Sequence, residues 1–343
     1  MTPQISIILP TFNGEKYITE SIKSCLDQSF SDFELIIVND CSSDNTLSII
    51  ESFLESDSRI RIINNQKNLQ LPGSLNIGFQ SARGKYFTWT SDDNIFKKNA
   101  LEVLIDSITK NNSPDIVYSS YNIIDEKGSF ISKYGGNPEE LIFQNIIGAC
   151  FLFKKNVFVQ LSGYDEMKYT VEDYDFWLRA LKYFNFKYID EVLYSYRRHD
   201  KSISNEIYQN TTVYNQFIEL HKKTFKEFYK NVLGIIFSDE EAMTLTMIYL
   251  NNNLKDNYEF TIEHYKNCCN LIEKLKEIDW EKINFDPNRI KLILDSKKFS
   301  FTEVYIQDLF FWKNQFMECK FCFRIKYINP LFWLRKSKEY FSS

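Results

Sequence analysis

The chain lacks the loops with which many proteins hold phosphate. No G-x-x-x-x-G-K-S/T run is present, which excludes a P-loop nucleotide site. No G-x-G-x-x-G follows the first strand-like run, which weakens a dinucleotide-binding reading. An excess of positive charge is missing as well. The balance of 41 Lys and Arg against 46 Asp and Glu leaves −5, so a general nucleic-acid binder is not expected. No uncharged apolar run approaches the roughly 18 residues of a spanning helix. The chain leads straight into ISIILP without a basic segment, an apolar leader or a cleavage site, so no secretory signal is expected. No internal repeat or low-complexity segment is found. The seven cysteines are odd in number and scattered, which fits free thiols in a reducing, cytoplasmic setting. Cys319 and Cys322 have C-x-x-C spacing, and Cys268 and Cys269 could join them around zinc. Adjacent cysteines are awkward ligands, however, so buried thiols are the better reading.

What the chain has in plenty is aromatic residues, 30 Phe and 21 Tyr in 343 residues. They suit large packed cores, and also surfaces that meet sugars or lipid headgroups. The length suggests about two domains. Over the first 100 residues, strands alternate with helices. ISIILP (5–10), FELIIVND (33–40), RIRIINN (59–65) and KYFTWTSDD (85–93) read as strands. GEKYITESIKSCLDQSF (14–30), SSDNTLSIIESFL (42–54) and PGSLNIGFQSAR (72–83) read as helices. The serines at 42 and 43 are expected to cap the second helix, and Gly84 to end the third in a left-handed cap. The alternation predicts an α/β fold with a mostly parallel sheet flanked by helices. Ligands of such sheets sit beyond the carboxyl ends of the strands. Three strands end there in polar clusters: Pro10, Thr11, Phe12 and Asn13; Asn39 and Asp40; Ser91, Asp92, Asp93 and Asn94. Any one of them could simply begin a turn. Three at one sheet edge point to a crevice.

From about residue 115 the pattern becomes mixed. DIVYSSYNIID (115–125), IIGACFLFKK (146–155) and FKYIDEVLYSYRRH (186–199) read as strands, the last split by a turn at Asp190 and Glu191. YTVEDYDFWLRALKYF (169–184) reads as a helix with Trp177 in the core. After about residue 205 only helical patterns remain, with SDEE (238–241) as a capping box.

Two neighbouring carboxylates at a strand end are tolerable when a divalent cation lies between them and a second anion. A diphosphate would be that anion, and Mn²⁺ or Mg²⁺ the cation. Asp40 offers only acceptors, which suits the ring N–H of a pyrimidine such as uracil. Together these describe a nucleoside-diphosphate sugar. The second acidic group is Glu172-Asp173-Tyr174-Asp175. On spacing alone, Thr170 with Asp173 reads first as a helix-start box, T-x-x-D.

These segments, from SIILPTFNGEKYITESIKSCLDQSFSDFELIIVNDCSSDNT through NIGFQSARGKYFTWTSDDN and SGYDE to VEDYDFWLR, resemble the family 2 glycosyltransferases of GT-A fold over most of residues 4–205. The resemblance implies that residues 1–100 form a nucleotide-binding half and 101–205 an acceptor and catalytic half, with an α-helical domain over 206–343. It implies that Thr11 and Asp40 contact uracil, Asp92 the ribose and Asp93 the metal. Pro10, Asn13 and Asn76 match positions near the nucleotide. Arg198 and His199 lie on a loop expected to close over the diphosphate, with His199 as a further metal contact. Asp173 becomes the general base, which reverses the reading from spacing, and Glu172 orients the acceptor. Asp175 is expected to be a solvated or structural charge. The chain departs from the common D-x-D-D in having Ser91-Asp92-Asp93-Asn94, so the metal rests mainly on Asp93.

The implied activity is inverting, metal-dependent transfer from a UDP-sugar to a hydroxyl of a glycan or lipid-linked glycan. A non-catalytic sugar-nucleotide sensor and a nucleotidyltransferase are the rival readings. The second usually needs a Gly- and Lys/Arg-rich loop, and PTFNGEKY has one glycine. Residues 319–343 carry six Lys and Arg against Glu339, interleaved with aromatics. That composition suits peripheral attachment to an anionic membrane face. The alternative is a helix docked on the helical domain or one that forms a homo-oligomer contact.

Overall fold

A computed structural model describes residues 2–110, 113–148, 150–253, 262–283, 285 and 290–295. The tail 319–343, with Cys319 and Cys322, lies outside the described residues. One curled sheet of nine strands runs through the first 200 residues, in the order β3-β2-β1-β4-β8-β6-β9-β5, with β7 beside β6.

The amino-terminal part is all parallel. β1 (Ile5–Thr11) is flanked by β2 (Phe33–Asn39) and β4 (Tyr86–Trp89), and β3 (Ile60–Asn64) lies outside β2. Every residue of β1 and β2 is buried, as a strand covered on both faces requires. The period-two alternation divides them between two cores. Ile5, Ile7 and Leu9 pack with Ile18, Ile22 and Leu104 on one face; Ile8 packs with Phe79, Phe87 and Phe151 on the other. The covering helices are α1 (Ile18–Leu26), α2 (Thr46–Leu54), α3 (Gln70–Ser81) and α4 (Ala100–Thr109). Two helix ends differ from the sequence expectation. Neither serine caps α2: Asn45 precedes the helix, and the Thr46 backbone N–H is taken by Asp44 Oδ1 at 3.0 Å. α3 ends because Ala82 is extended, and Gly84 is not left-handed. Gly84 is needed for closeness instead, since a Cβ there would lie 2.7 Å from the Ser6 nitrogen.

The second part is mixed. β5 (Ile95–Phe96), β6 (Ile116–Ile124), β7 (Phe130–Tyr134), β8 (Phe151–Lys154) and β9 (Phe186–Arg197) complete the sheet. β6 runs parallel to β9 and antiparallel to β7 and β8. β8 is shorter than expected, because Ile146 and Ile147 are buried in a loop. β9 is continuous where a turn was expected. Its register with β6 jumps from Ser119↔Ile189 to Ser120↔Val192, so Asp190 and Glu191 bulge out and the strand goes on. α5 (Lys155–Gln160) and α6 (Glu172–Ala180) follow β8.

Helices α7 (Ile203–Gln209), α8 (Thr211–Leu233), α9 (Asp239–Asn253) and α10 (Ile262–Lys276) complete the described chain. The capping box at α9 is formed: Glu241 N–H donates to Ser238 Oγ at 3.1 Å and Ser238 N–H to Glu241 Oε2 at 2.9 Å. Phe225, Tyr229, Leu245, Leu271 and Leu275 belong to the same apolar core as Phe151 and Trp177. One buried charge spans that core. Lys168 is fully covered and donates to Thr224 Oγ1 (2.8 Å) and Glu227 (2.6 Å) on α8, and it pairs with Asp175 of α6 at 3.2 Å. Asp175 also holds Arg179 at 2.7 Å, so it is a structural charge. Among the described residues, no helix is long and apolar enough to cross a membrane.

Candidate active site

The parallel register aligns the strand ends. Thr11 pairs with Asn39, and Ile8 with Trp89. Three residues further along, Thr11 meets Asp92, and its hydroxyl donates to Asp92 Oδ2 at 2.5 Å. The Asp40 N–H donates to the Thr11 carbonyl at 2.8 Å and ties the two strand ends together. Asp40 is buried, and its Oδ1 accepts from Asn65 Nδ2 (2.8 Å) and Leu69 N–H (2.9 Å). Its Oδ2 takes no hydrogen bond among the described residues. Pro10 is buried inside β1.

Two expected nucleotide residues have structural work. Asn13 is left-handed (φ 55°), and its side-chain Oδ1 accepts from the Ser43 N–H at 2.8 Å, which clasps the loop after β1 to the loop after β2. Asn76 sits on α3 beneath the Ser162–Gly163–Tyr164 loop. Its Oδ1 accepts from Tyr164 N–H at 2.9 Å, and its Nδ2 donates to the Tyr164 carbonyl at 2.9 Å and to Glu166 at 3.2 Å.

Asp93 is braced from the loop after β9. Its Oδ2 is 3.0 Å from His199 Nε2. His199 Nδ1 accepts from the Lys201 N–H at 3.2 Å, so in the neutral ring the proton belongs to Nε2 and is donated to Asp93. In this arrangement His199 orients the carboxylate. The other oxygen of Asp93, Oδ1, is buried without a partner. Beside it, burial and then the charge of Asp93 push the Asp92 carboxyl up to about 7. An orphaned carboxylate oxygen next to a second carboxylate with a raised pKa fits a hard divalent cation such as Mn²⁺ or Mg²⁺.

The arginine that matters here was missed in the sequence. Arg197 is buried, and it donates to the Asp93 carbonyl (3.0 Å), the Glu126 carbonyl (3.1 Å) and Glu20 (2.6 Å). Arg198 is exposed and is fixed by its backbone N–H on Ile124. Strand parity did not mark Arg197, because Leu193, Tyr194 and Ser195 are all buried just before it.

The second acidic group starts α6. The box read from spacing does not form: the residue before the helix is Val171, and Thr170 Oγ1 is buried without a partner. Thr170 has φ 80°, a strained conformation for a β-branched residue. Asp173 instead accepts from Tyr174 N–H (2.6 Å) through Oδ1 and from Asn145 Nδ2 (2.8 Å) through Oδ2. Burial raises its pKa, and those hydrogen bonds oppose the rise. Glu172 is buried, with Oε2 unpaired; burial and then the charge of Asp173 push it up to about 8. Asn145 carried no signal in the sequence. Trp177 is fully buried, its ring 4.8 Å from that of Phe151. Burial first, then Asp93 and more weakly Asp173, raise the Tyr196 hydroxyl to about 12, so both acidic groups act on one side chain of β9.

One carboxylate pair thus lies at the aligned strand ends and a second at the start of α6, and both act electrostatically on Tyr196 of β9. The pattern that defines "Glycosyl transferase family 2" matches residues 6–161. An uncharacterized glycosyltransferase of Haemophilus influenzae is 33% identical over 267 residues, 72% of this chain and 80% of that protein. The chain belongs to glycosyl transferase family 2. Another uncharacterized glycosyltransferase, of Rickettsia felis, is 30% identical over 287 residues; they make up 78% of this chain but only 44% of that protein. Among solved structures, S. aureus TarS 1–349 in complex with UDP-GlcNAc has a TM-score of 0.57 at 16% identity, covering 89% of this chain and 92% of that one. A mannosyltransferase from Pyrobaculum calidifontis in complex with GDP-Man and Mn²⁺ has a TM-score of 0.51 at 12% identity, covering 90% and 88%. At these identities the likeness is one of fold.

Proposed function

We propose that the chain transfers a sugar from a UDP-sugar to a hydroxyl of a glycan or lipid-linked glycan, with inversion. The observation that carries this reading is the pairing of a carboxylate with an orphaned oxygen, Asp93, and a hydrogen-bonded, oriented carboxylate, Asp173, both acting on Tyr196. Asp173 accepts the proton of the acceptor hydroxyl as that oxygen attacks the anomeric carbon. The new oxygen–carbon bond forms as the bond to the diphosphate oxygen breaks on the opposite face, so a single displacement inverts the centre. Mn²⁺ or Mg²⁺ held by Asp93 would neutralise the leaving diphosphate, which then needs no acid. His199 keeps Asp93 oriented, and Arg198, which is exposed, would meet a phosphate. Thr11 positions Asp92 for the ribose. Glu172 borders the acceptor side.

The base is read by Asp40. Its Oδ2, which takes no hydrogen bond among the described residues, suits the uracil N–H. In this reading residues 1–100 serve the donor and 101–205 the acceptor, the helices α7 to α10 follow them, and the tail 319–343, outside the described residues, would attach the chain to an anionic membrane. Calorimetry with UDP and GDP in the presence of Mn²⁺ tests the donor. UDP is expected to bind more tightly, and tighter GDP binding would sink the assignment.

A further inference from the structure

Two adjacent carboxylates compete for one proton, and the mechanism above needs the charge on Asp173. The surroundings of Glu172 and Asp173 are unequal. Asp173 receives two donors, Asn145 Nδ2 at 2.8 Å and Tyr174 N–H at 2.6 Å. Glu172 is more deeply buried; backbone N–H groups at Thr170 and Glu172 reach its carboxyl, but no side chain donates to it among the described residues and its Oε2 has no partner. The orientation of the Asn145 amide follows from chemistry: an ionised carboxylate only accepts, so the NH₂ group must face Asp173. The Asn145 carbonyl is then turned away, and it is buried without a partner. Asn145 lies in the loop between a short 3₁₀ turn (Pro138–Ile142) and β8. That turn is locked to α6, because the Tyr174 hydroxyl donates to the Leu141 carbonyl at 2.6 Å.

The other groups near the pair do not do this work. Asp175, on the same helix, is held by Lys168 and Arg179. Tyr164 from the preceding loop and Tyr196 from β9 interact electrostatically with Asp173, and Tyr169 lies between Glu172 and Glu206 of α7. None of them donates a hydrogen bond to Asp173 among the described residues.

We propose that Asn145 is a positioning residue that holds the negative charge of the pair on Asp173 and leaves the proton on Glu172. This rests on the reading of Asp173 as the base. The test is ¹³C-carboxyl NMR of the full chain labelled at Asp and Glu, with the two signals assigned through Asp173→Asn and Glu172→Gln. Asp173 should titrate below Glu172 in the wild type. Asn145→Ala removes a donor to the charged form, so it should raise the Asp173 midpoint by about one pH unit and narrow the gap. Asn145→Ser keeps a donor and should recover part of the shift. UDP calorimetry checks that each variant is folded, and if the alanine variant is not, the serine variant decides. An unmoved Asp173 midpoint, or Glu172 titrating below Asp173 in the wild type, overturns the proposal. The base reading fails separately: normal turnover in Asp173→Asn would sink it and leave the titration result intact.

Discussion

Gly14 offers a steric test of the proposed donor site that changes no charge. A Cβ at this position would lie 2.2 Å from Asp92 Oδ2 and 2.7 Å from Thr11 Oγ1. The backbone there is not left-handed, so Gly14→Ala carries no conformational penalty of its own. The methyl must therefore push the Asp92 carboxylate off its 2.5 Å bond from Thr11. A hydrogen bond to a charged group contributes about 1.5–3 kcal/mol. If Asp92 in its braced position is what holds the ribose, UDP affinity should fall about 10- to 150-fold. Crowding of this kind costs about 1–3 kcal/mol in stability, which leaves a chain of this size folded with a Tm a few degrees lower. Calorimetric titration of UDP with Mn²⁺ reads the affinity, and circular dichroism the Tm. UDP binding within twofold of wild type, in a variant whose Tm has dropped, would show that Asp92 moves without consequence and is not the ribose contact.

Asp93→Ala should abolish the gain in donor affinity that Mn²⁺ gives; a titration in which Mn²⁺ still tightens UDP binding removes Asp93 from the metal site. Asp173→Asn should keep UDP affinity and lower turnover by about 100-fold or more, the scale of a lost general base. Glu172 titrates near 8 when folded against an ordinary 4.5, so the folded state binds the extra proton and wild-type stability falls as pH rises through that window. Glu172→Gln lacks that loss, so its Tm advantage over wild type should widen from pH 5 to pH 8.5 in scanning calorimetry; a constant gap would show that Glu172 is not buried as an acid.

The strand–helix alternation was legible because a parallel sheet buried on both faces demands unbroken apolar runs such as ISIILP. The polar clusters that ended those runs pointed to the crevice, and Thr11 with Asp92 shows why: the register brings them opposite. Side-chain partners were less legible. Only three-dimensional contacts reveal that the amides of Asn76 and Asn13 clasp loops. Asn145 reaches Asp173 across 28 positions from an irregular loop, where no periodicity marks it. The turn read at Asp190 and Glu191 failed because a bulge absorbs two acidic residues without ending a strand.

The buried ammonium of Lys168 has a consequence for recombination between relatives. Its two partners on α8, Thr224 and Glu227, lie 56 and 59 positions downstream, beyond the end of the sheet. A chimera that joins this sheet to foreign helices near residue 205 would strand a cation in the interior beside Asp175 and the first turn of α6. The helices are therefore electrostatic counterparts of the segment that leads into α6. An exchange that aims to change the acceptor would have to carry Thr224 and Glu227 across, or replace Lys168 together with them.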